Sequence, residues 1–296
     1  MGIVGAGAVG QSVAAALVTA RLSHRVRITS LRPARTLALV TDLEDLAQLC
    51  GSPVRAESCE IADLTACEAV VICLRSTFTN TAARDVRMAG LQANAPHIAT
   101  LAGHLVGYRG TVVVVTNPVD VMTRLLAEVS GVHRVYGVGS NLDSARYRLA
   151  LAHLLGVPVS AVDGHVIGEH GDKAVICATA TRIGGLPLTI PLREVRAELA
   201  ARPGRITAGG RARFGPAAAV LAALRAALGL TDAVVELCAQ HGDAWHGIPL
   251  HFTAGTPTPF LPPLDASEAR QLADADRKLA AAYHQIRYLH PRGESQ

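Results

Sequence analysis

Two short stretches of the 296-residue chain contain side chains suited to proton transfer and ion pairing. In "VIGEHGD" (166–172), His170 follows a short apolar run and stands between an acid and a glycine. Histidine changes charge near neutral pH, so it could carry a proton here, although a histidine in a turn is often only solvated. In "DSAR", Asp143 and Arg146 are three residues apart and share one face of a predicted helix. Such a pair is often a surface ion pair, so neither motif decides a function alone.

The N-terminal end carries a motif for binding a dinucleotide. "GAGAVG" places Gly5, Gly7 and Gly10 in a G-x-G-x-x-G pattern, directly after an apolar strand and before a helix. The first glycine permits the tight turn, the second lets the backbone approach a pyrophosphate, and the third allows close packing of helix on strand. Glycine-rich turns are common, so it is the position between strand and helix that favours dinucleotide binding.

The end of the second predicted strand indicates which dinucleotide is preferred. An NAD site normally has an acid about 20 residues after the glycines, where it binds the adenosine ribose. Here that position is Ser30, and Arg32 and Arg35 follow it. A hydroxyl with nearby guanidinium groups suits a 2′-phosphate, which a carboxylate would repel. The sequence therefore favours NADP over NAD, although the arginines could be surface charges beside a tolerant NAD site.

The elements that must position these residues alternate between short apolar runs and helical patterns. "GIVG", "RVRITSL", "EAVVICL" and "GTVVVVTN" are continuous apolar runs, and longer helical stretches separate them. This alternation predicts an α/β fold with a doubly wound parallel sheet. From about residue 140 the pattern changes to a helix, loosely spaced strands and Ala-rich helices, so we expect a boundary near 139–141. A long amphipathic helix, "SEARQLADADRKLAAAYHQIRYL", is predicted near the end.

Three of these motifs together resemble the lactate/malate dehydrogenase family. They are "TNPVDVMTRLLAEVSG" (116–131), "GSNLDSARYRLALAHLLGV" (139–157) and "VIGEHGD" (166–172), in the family's order and spacing after "GAGAVG". The resemblance implies a Rossmann domain over 1–139, followed by a mixed α/β substrate domain over 140–296. It also implies hydride transfer between a nicotinamide cofactor and a small 2-oxo or 2-hydroxy acid, in a homodimer or homotetramer.

The resemblance also implies a role for each candidate residue. His170 gives a proton during reduction and takes one during oxidation, and Asp143 holds the imidazole tautomer and favours its charged form. Arg146 binds the substrate carboxylate as a bidentate fork, which a lysine cannot reproduce. Asn117, at the end of a strand, positions the nicotinamide and the substrate oxygen.

The predicted lid loop departs from the family pattern. The family's lid arginine stands seven residues before a helical asparagine, which selects Arg87 before Asn94. Counting forward from the strand "VVICL" selects Arg84 instead, so the loop is longer than usual. We choose Arg87 because the helix side matches better. The residue that sets substrate choice is then Thr81 or, in the other register, Phe78, and neither is typical of lactate or malate.

The substrate therefore stays open. Ala212 aligns with a pocket threonine of lactate dehydrogenases, and its smaller side chain would leave room for a larger 2-oxo acid. A malate dehydrogenase is the nearest alternative, with Arg84 or Arg75 binding the second carboxylate. A further alternative is a nucleotide-binding paralogue without turnover, which the altered lid loop keeps open.

The composition bounds the remaining possibilities. The net charge of +4 is small for this length and is spread along the chain, so we expect no nucleic-acid partner. The six cysteines have no metal-ligand spacing, so we expect no metal and a reducing compartment. No secretory leader opens the chain and no apolar run approaches membrane length. These features predict a cytoplasmic protein without a membrane anchor.

Overall fold

The computed structural model describes residues 1–82, 85–210 and 213–289. Its strands are β1 (Gly2–Val4), β2 (Arg25–Thr29), β3 (Arg55–Ser58), β4 (Ala69–Ile72), β5 (Thr111–Val114), β6 (Val135–Val138), β7 (Val162–Asp163), β8 (Val166–Gly168), β9 (Ala174–Ile176), β10 (Arg182–Ile183), β11 (Leu186–Pro187), β12 (Ala233–His241), β13 (Ala244–Thr253) and β14 (Thr256–Pro259). Its helices are α1 (Ala8–Thr19), α2 (Pro33–Leu49), α3 (Leu91–His104), α4 (Val119–Ser130), α5 (Ser140–Leu155), α6 (Leu192–Ala208), α7 (Phe214–Ala227) and α8 (Ala266–His284).

One large sheet organises the molecule. Its first six strands are parallel in the order β3-β2-β1-β4-β5-β6, which is the dinucleotide-binding arrangement of a Rossmann fold. The predicted α/β class and doubly wound sheet are confirmed. The strand order reverses between β1 and β4, and α/β proteins bind ligands in the crevice at such a switch point.

The apolar runs become strands because both faces of the sheet are covered. All four residues of β4, β5 and β6 are buried. Helices α1, α2 and α7 pack in one large hydrophobic cluster, and α3, α4 and α8 pack in a second one. A strand covered on both faces needs no polar alternation, which explains its continuous apolar sequence.

Five of the later strands, β8, β9, β12, β13 and β14, extend the same sheet, whereas β7, β10 and β11 form a separate three-stranded one. β12 pairs antiparallel with β6 through Leu237–Val138 and Cys238–Gly137. β13 then pairs with β12, and β8 pairs with β13 at Gly168. Because β8 ends two residues before His170, the sheet sets the position of the histidine turn relative to the glycine loop.

Candidate active site

The glycine loop has the shape that a pyrophosphate requires. Gly5 has φ +116°, and a Cβ there would lie 2.8 Å from the Cys73 carbonyl oxygen, so the turn excludes a side chain. A Cβ on Gly10 would lie 1.8 Å from the Gly5 oxygen, which shows how closely α1 packs on the loop. A Cβ on Gly7 would have no described atom within 4 Å, so the backbone there is open to a ligand. The residues fit a phosphate group at the N-terminus of α1.

Ser30 has a local structural role that the sequence reasoning missed. Its hydroxyl accepts the Arg32 backbone N–H at 3.2 Å and lies 2.8 Å from the Thr36 hydroxyl. It therefore shapes the turn between β2 and α2. Arg32 and Arg35 are exposed beside it, so both guanidinium groups are accessible to an anion.

His170 and Asp143 form a close pair although 27 positions separate them. His170 Nδ1 lies 2.6 Å from Asp143 Oδ2, and both side chains are largely buried. Burial opposes ionisation of Asp143, but His170 and the Arg87 and Arg146 guanidinium groups hold the pKa of this carboxyl below its usual value. Asp143 is therefore a carboxylate that fixes one nitrogen of the imidazole.

Two backbone features fix the histidine turn. The His170 backbone N–H donates to Asp120 Oδ2 at 2.8 Å, which ties the turn to the first turn of α4. The ring lies against the backbone of Gly139, where a Cβ would be 2.4 Å from the ring's Cγ. Gly139 is thus required by the ring itself. Neither Asp120 nor Gly139 was selected from the sequence, because both act through contacts between distant segments.

Arg146 and Arg87 place two cations at the same site. Arg146 Nη1 lies 3.6 Å from Asp143 Oδ1. Burial, with help from the nearby Arg87 and Arg202, lowers the pKa of Arg146, against the opposing effect of Asp143. The single negative charge of Asp143, which also pairs with His170, does not neutralise the two positive charges of Arg146 and Arg87. The site therefore favours an anionic ligand.

Asn117 presents an unused hydrogen-bonding atom. Its backbone oxygen accepts the Asn94 side-chain N–H at 2.8 Å, which ties the end of β5 to α3. Its side-chain oxygen Oδ1 is buried and finds no hydrogen-bond partner among the described residues. Unpaired buried polar atoms are rare in native proteins, and such an oxygen suits the amide group of a nicotinamide.

Four predicted residues line one cavity of about 970 Å³, which we call the central cavity: Arg87, Asn117, Arg146 and His170. An adjoining cavity of about 900 Å³ shares the first three of these residues and is also lined by Asp143. The structure therefore brings together the residues that the resemblance assigned to the substrate. The glycine loop adjoins them, since Val9 lines both cavities.

The lid residues divide between the cavity wall and the surface. Phe78 lines the adjoining cavity, whereas Thr81 is exposed. The exposed Arg75 stacks its guanidinium over the Phe78 ring, 4.9 Å from the centroid. Two other sequence candidates, Arg84 and Ala212, lie outside the described residues, so the structure does not compare Arg84 with Arg87.

Comparison with known proteins identifies the family. Residues 1–138 match the family model described as lactate/malate dehydrogenase, NAD binding domain. Residues 140–201 match the one described as lactate/malate dehydrogenase, alpha/beta C-terminal domain. The chain belongs to the lactate/malate dehydrogenase family. The family resemblance predicted from the three motifs is thereby confirmed, and the chain is an oxidoreductase of this family.

Individual relatives in the lactate/malate dehydrogenase family agree with this placement. The chain is 28% identical to the L-lactate dehydrogenase of Staphylococcus epidermidis over 97% of each chain. Several other lactate dehydrogenases match over only 58–60% of their own length. A Methanocaldococcus jannaschii protein named L-2-hydroxycarboxylate dehydrogenase (NAD(P)(+)) is 36% identical over 46% of each chain.

The fold of this family member matches solved structures. The lactate dehydrogenase of Cryptosporidium parvum, in complex with lactic acid and β-nicotinamide adenine dinucleotide, superposes with a TM-score of 0.87. It is 24% identical and covers 97% of each chain. Within the described ranges, none of the helices has the length and apolar character needed to span a bilayer.

Proposed function

We propose that this chain interconverts 2-oxo acids and L-2-hydroxy acids with a nicotinamide dinucleotide, and that His170 is the acid and base. The observation that carries this proposal is the 2.6 Å contact between His170 and Asp143 beside a cavity that Arg87 and Arg146 line. A proton carrier and two fixed cations suit a substrate in which a carbonyl adjoins a carboxylate. When bound, the cofactor supplies or accepts the hydride, and the chain supplies or accepts the proton.

The proton step follows from the histidine pair. Asp143 accepts a hydrogen bond from Nδ1–H, so Nε2 is the nitrogen that exchanges a proton with the substrate oxygen. During reduction Nε2 donates to the carbonyl oxygen and the imidazolium becomes neutral; oxidation is the reverse. Arg146 holds the substrate carboxylate by two parallel hydrogen bonds, and Arg87 polarises the reacting carbonyl. His170, Arg146 and Arg87 all line the central cavity, where the substrate would bind.

The residues of the glycine loop and Asn117 would hold the cofactor. Gly5, Gly7 and Gly10 would bind the pyrophosphate, and Oδ1 of Asn117, which has no partner among the described residues, would accept from the carboxamide of the nicotinamide. These assignments are supported by the open backbone at Gly7 and by the burial of the Asn117 oxygen.

We propose that the chain prefers NADP, with NAD as the alternative. The support is the hydroxyl of Ser30 at the end of β2 and the exposed guanidinium groups of Arg32 and Arg35. The Methanocaldococcus jannaschii relative is named for both cofactors, NAD(P)(+), which supports NADP as a candidate and keeps NAD as the alternative. Residues 1–139 would then form the cofactor-binding domain, which also supplies Arg87, and residues 140–296 would form the substrate domain with Arg146 and His170.

We also propose a cytoplasmic homodimer or homotetramer. Exposed apolar side chains on α2 and at the start of α7 support self-association: Leu37, Leu49 and Phe214 are 63%, 88% and 77% exposed. All six cysteines are free thiols, which supports a reducing compartment. Sedimentation velocity at several concentrations measures the assembly, and a purely monomeric distribution would reject the oligomer.

Initial rates test the function. NADH and NADPH are each assayed with pyruvate, oxaloacetate, phenylpyruvate and branched 2-oxo acids. His170→Asn should bind cofactor normally while turnover falls by a factor of about 10² or more. His153→Asn, an exposed histidine on α5, is the matched control and should leave the rate unchanged. Equal rates in the His170 variant and wild type would remove His170 from the mechanism.

A further inference from the structure

Lys278 joins two carboxylates that come from different segments. It lies on α8, and its Nζ is 2.8 Å from Glu169 Oε1 and 2.9 Å from Glu169 Oε2. The same ammonium group also forms an ion pair with Asp85. Glu169 immediately precedes His170, and Asp85 comes two residues before Arg87. One cation therefore contacts both the histidine turn (residues 169–173) and the lid segment that carries Arg87 (residues 85–90).

The contact with Glu169 is needed to keep a charge in the protein interior. The Glu169 side chain is only 4% exposed, and one of its oxygens accepts the Lys173 backbone N–H at 2.9 Å. A buried carboxylate without a cationic partner is costly. Lys278 thus stabilises the conformation of residues 169–173, which includes His170.

The contact with Asp85 fastens the lid segment. Asp85 has a left-handed backbone (φ +50°), and its N–H donates to Asp172 Oδ2 at 3.0 Å. Its carbonyl oxygen accepts the Met88 N–H at 2.8 Å, which shapes the turn around Arg87. Both the backbone and the side chain of Asp85 are therefore bound to groups that adjoin His170 in sequence or contact its turn.

We propose that Lys278 is a positioning residue that anchors both the segment carrying Arg87 and the turn carrying His170, and so fixes these two side chains relative to each other. This inference rests on the proposed function, since both residues act on the substrate only there. While Asp85 and Glu169 share the ammonium group, the segment that carries Arg87 and the turn that carries His170 are both tied to one cation. Loss of the Asp85 contact frees the lid segment and leaves the histidine turn in place.

Asp85→Asn is the sharpest test because it removes the charge and keeps the shape. Asparagine tolerates the left-handed backbone, and its N–H can still donate to Asp172. We expect hydrogen–deuterium exchange in residues 85–90 of the free protein to accelerate about fivefold, the size expected for loss of a partly exposed ion pair. Exchange in 166–172 should stay at the wild-type rate.

Kinetics separate positioning from simple structural support. In Asp85→Asn, kcat/KM for the best 2-oxo acid should fall about fivefold, and cofactor affinity should not change. Lys278→Met should accelerate exchange in both 85–90 and 166–172, whereas Lys278→Arg, which keeps a cation, should restore much of the protection. Arg277→Met removes an exposed cation from the same helix and is the matched control.

Each outcome decides the proposal. Wild-type exchange in 85–90 of Asp85→Asn would show that the pair does not hold the lid and would overturn the inference. Faster lid exchange with unchanged kcat/KM would overturn the coupling to catalysis. The exchange measurement uses free protein and needs no turnover. If wild type reduces no 2-oxo acid, the proposed function fails separately, while the exchange data still judge the contact.

Discussion

Asp143→Asn is the substitution that tests the acid–base assignment most directly. Asparagine has nearly the same shape and can still accept the hydrogen bond from His170 Nδ1, which is 2.6 Å from the carboxylate in the native protein. What it removes is the negative charge that stabilises the imidazolium. The two side chains are 8% and 15% exposed, so solvent screens this charge only weakly.

The expected size of the effect follows from this geometry. Two unit charges with centres about 4 Å apart, at an effective dielectric constant of about 20, attract by about 4 kcal/mol. The loss is reduced by about 1 kcal/mol because the asparagine retains a neutral hydrogen bond. A penalty of about 3 kcal/mol on the proton-donating form lowers the rate of reduction roughly 100-fold. The variant should fold normally, since shape and packing are kept.

The assay is a single-turnover reduction of a saturating 2-oxo acid at pH 7, followed by the loss of absorbance of the reduced cofactor. Asp163→Asn is the matched control, because Asp163 lies 3.7 Å from His165 Nε2 but is 75% exposed. Its rate should equal that of wild type. If Asp143→Asn reduced the substrate within threefold of the wild-type rate, with cofactor affinity unchanged, the histidine–aspartate mechanism would be refuted.

Three further predictions concern the cofactor, the substrate carboxylate and pH. Ser30→Asp should shift the ratio of kcat/KM values from NADPH toward NADH, because a carboxylate repels the 2′-phosphate; an unmoved ratio would contradict our assignment of Ser30, Arg32 and Arg35. Arg146→Lys should raise KM for the 2-oxo acid about tenfold or more, since lysine cannot form the bidentate pair, and steady-state kinetics that show an unchanged KM would count against this role. Burial raises the pKa of Asp120 from 3.8 to about 6. Between about pH 4 and about pH 6 the unfolded chain therefore loses this proton while the folded protein keeps it, so the stability of the wild type falls across this range. Urea unfolding of Asp120→Asn and wild type at pH 4 and pH 7.5 should therefore show that the variant gains about 2.5 kcal/mol relative to wild type between the two pH values, and an equal change of stability in both proteins would disprove the shift.

The sheet was predictable because its signals are local. The runs that become β4 and β5 show no alternation of polar and apolar residues, and a strand buried on both faces needs none. The glycine spacing likewise predicted the loop before α1. Both arguments use neighbouring residues only, so no knowledge of long-range contacts was needed.

The candidate site was predictable only in part. The family resemblance grouped His170 with Asp143, but no spacing rule reports a contact across 27 positions. The same limit hid Gly139, whose missing side chain makes room for the histidine ring, and Lys278, whose partner Glu169 is 109 positions away. The hydroxyl of Ser30 was correctly placed at the strand end, but its hydrogen bonds within the turn depend on backbone geometry that the sequence does not display.

The pairing of β12 with β6 has a mechanical consequence. The glycine loop and the histidine turn belong to one hydrogen-bonded sheet, joined through Leu237–Val138 and Cys238–Gly137. A hinge that swung two lobes apart would have to break these pairs, so we expect any opening of the site to be confined to the segments that cover it. Substrate range can then be altered in the lid and α6, whose residues line the adjoining cavity, while the spacing between hydride and proton stays set by the sheet. This separation makes the scaffold a tractable one for redirecting specificity.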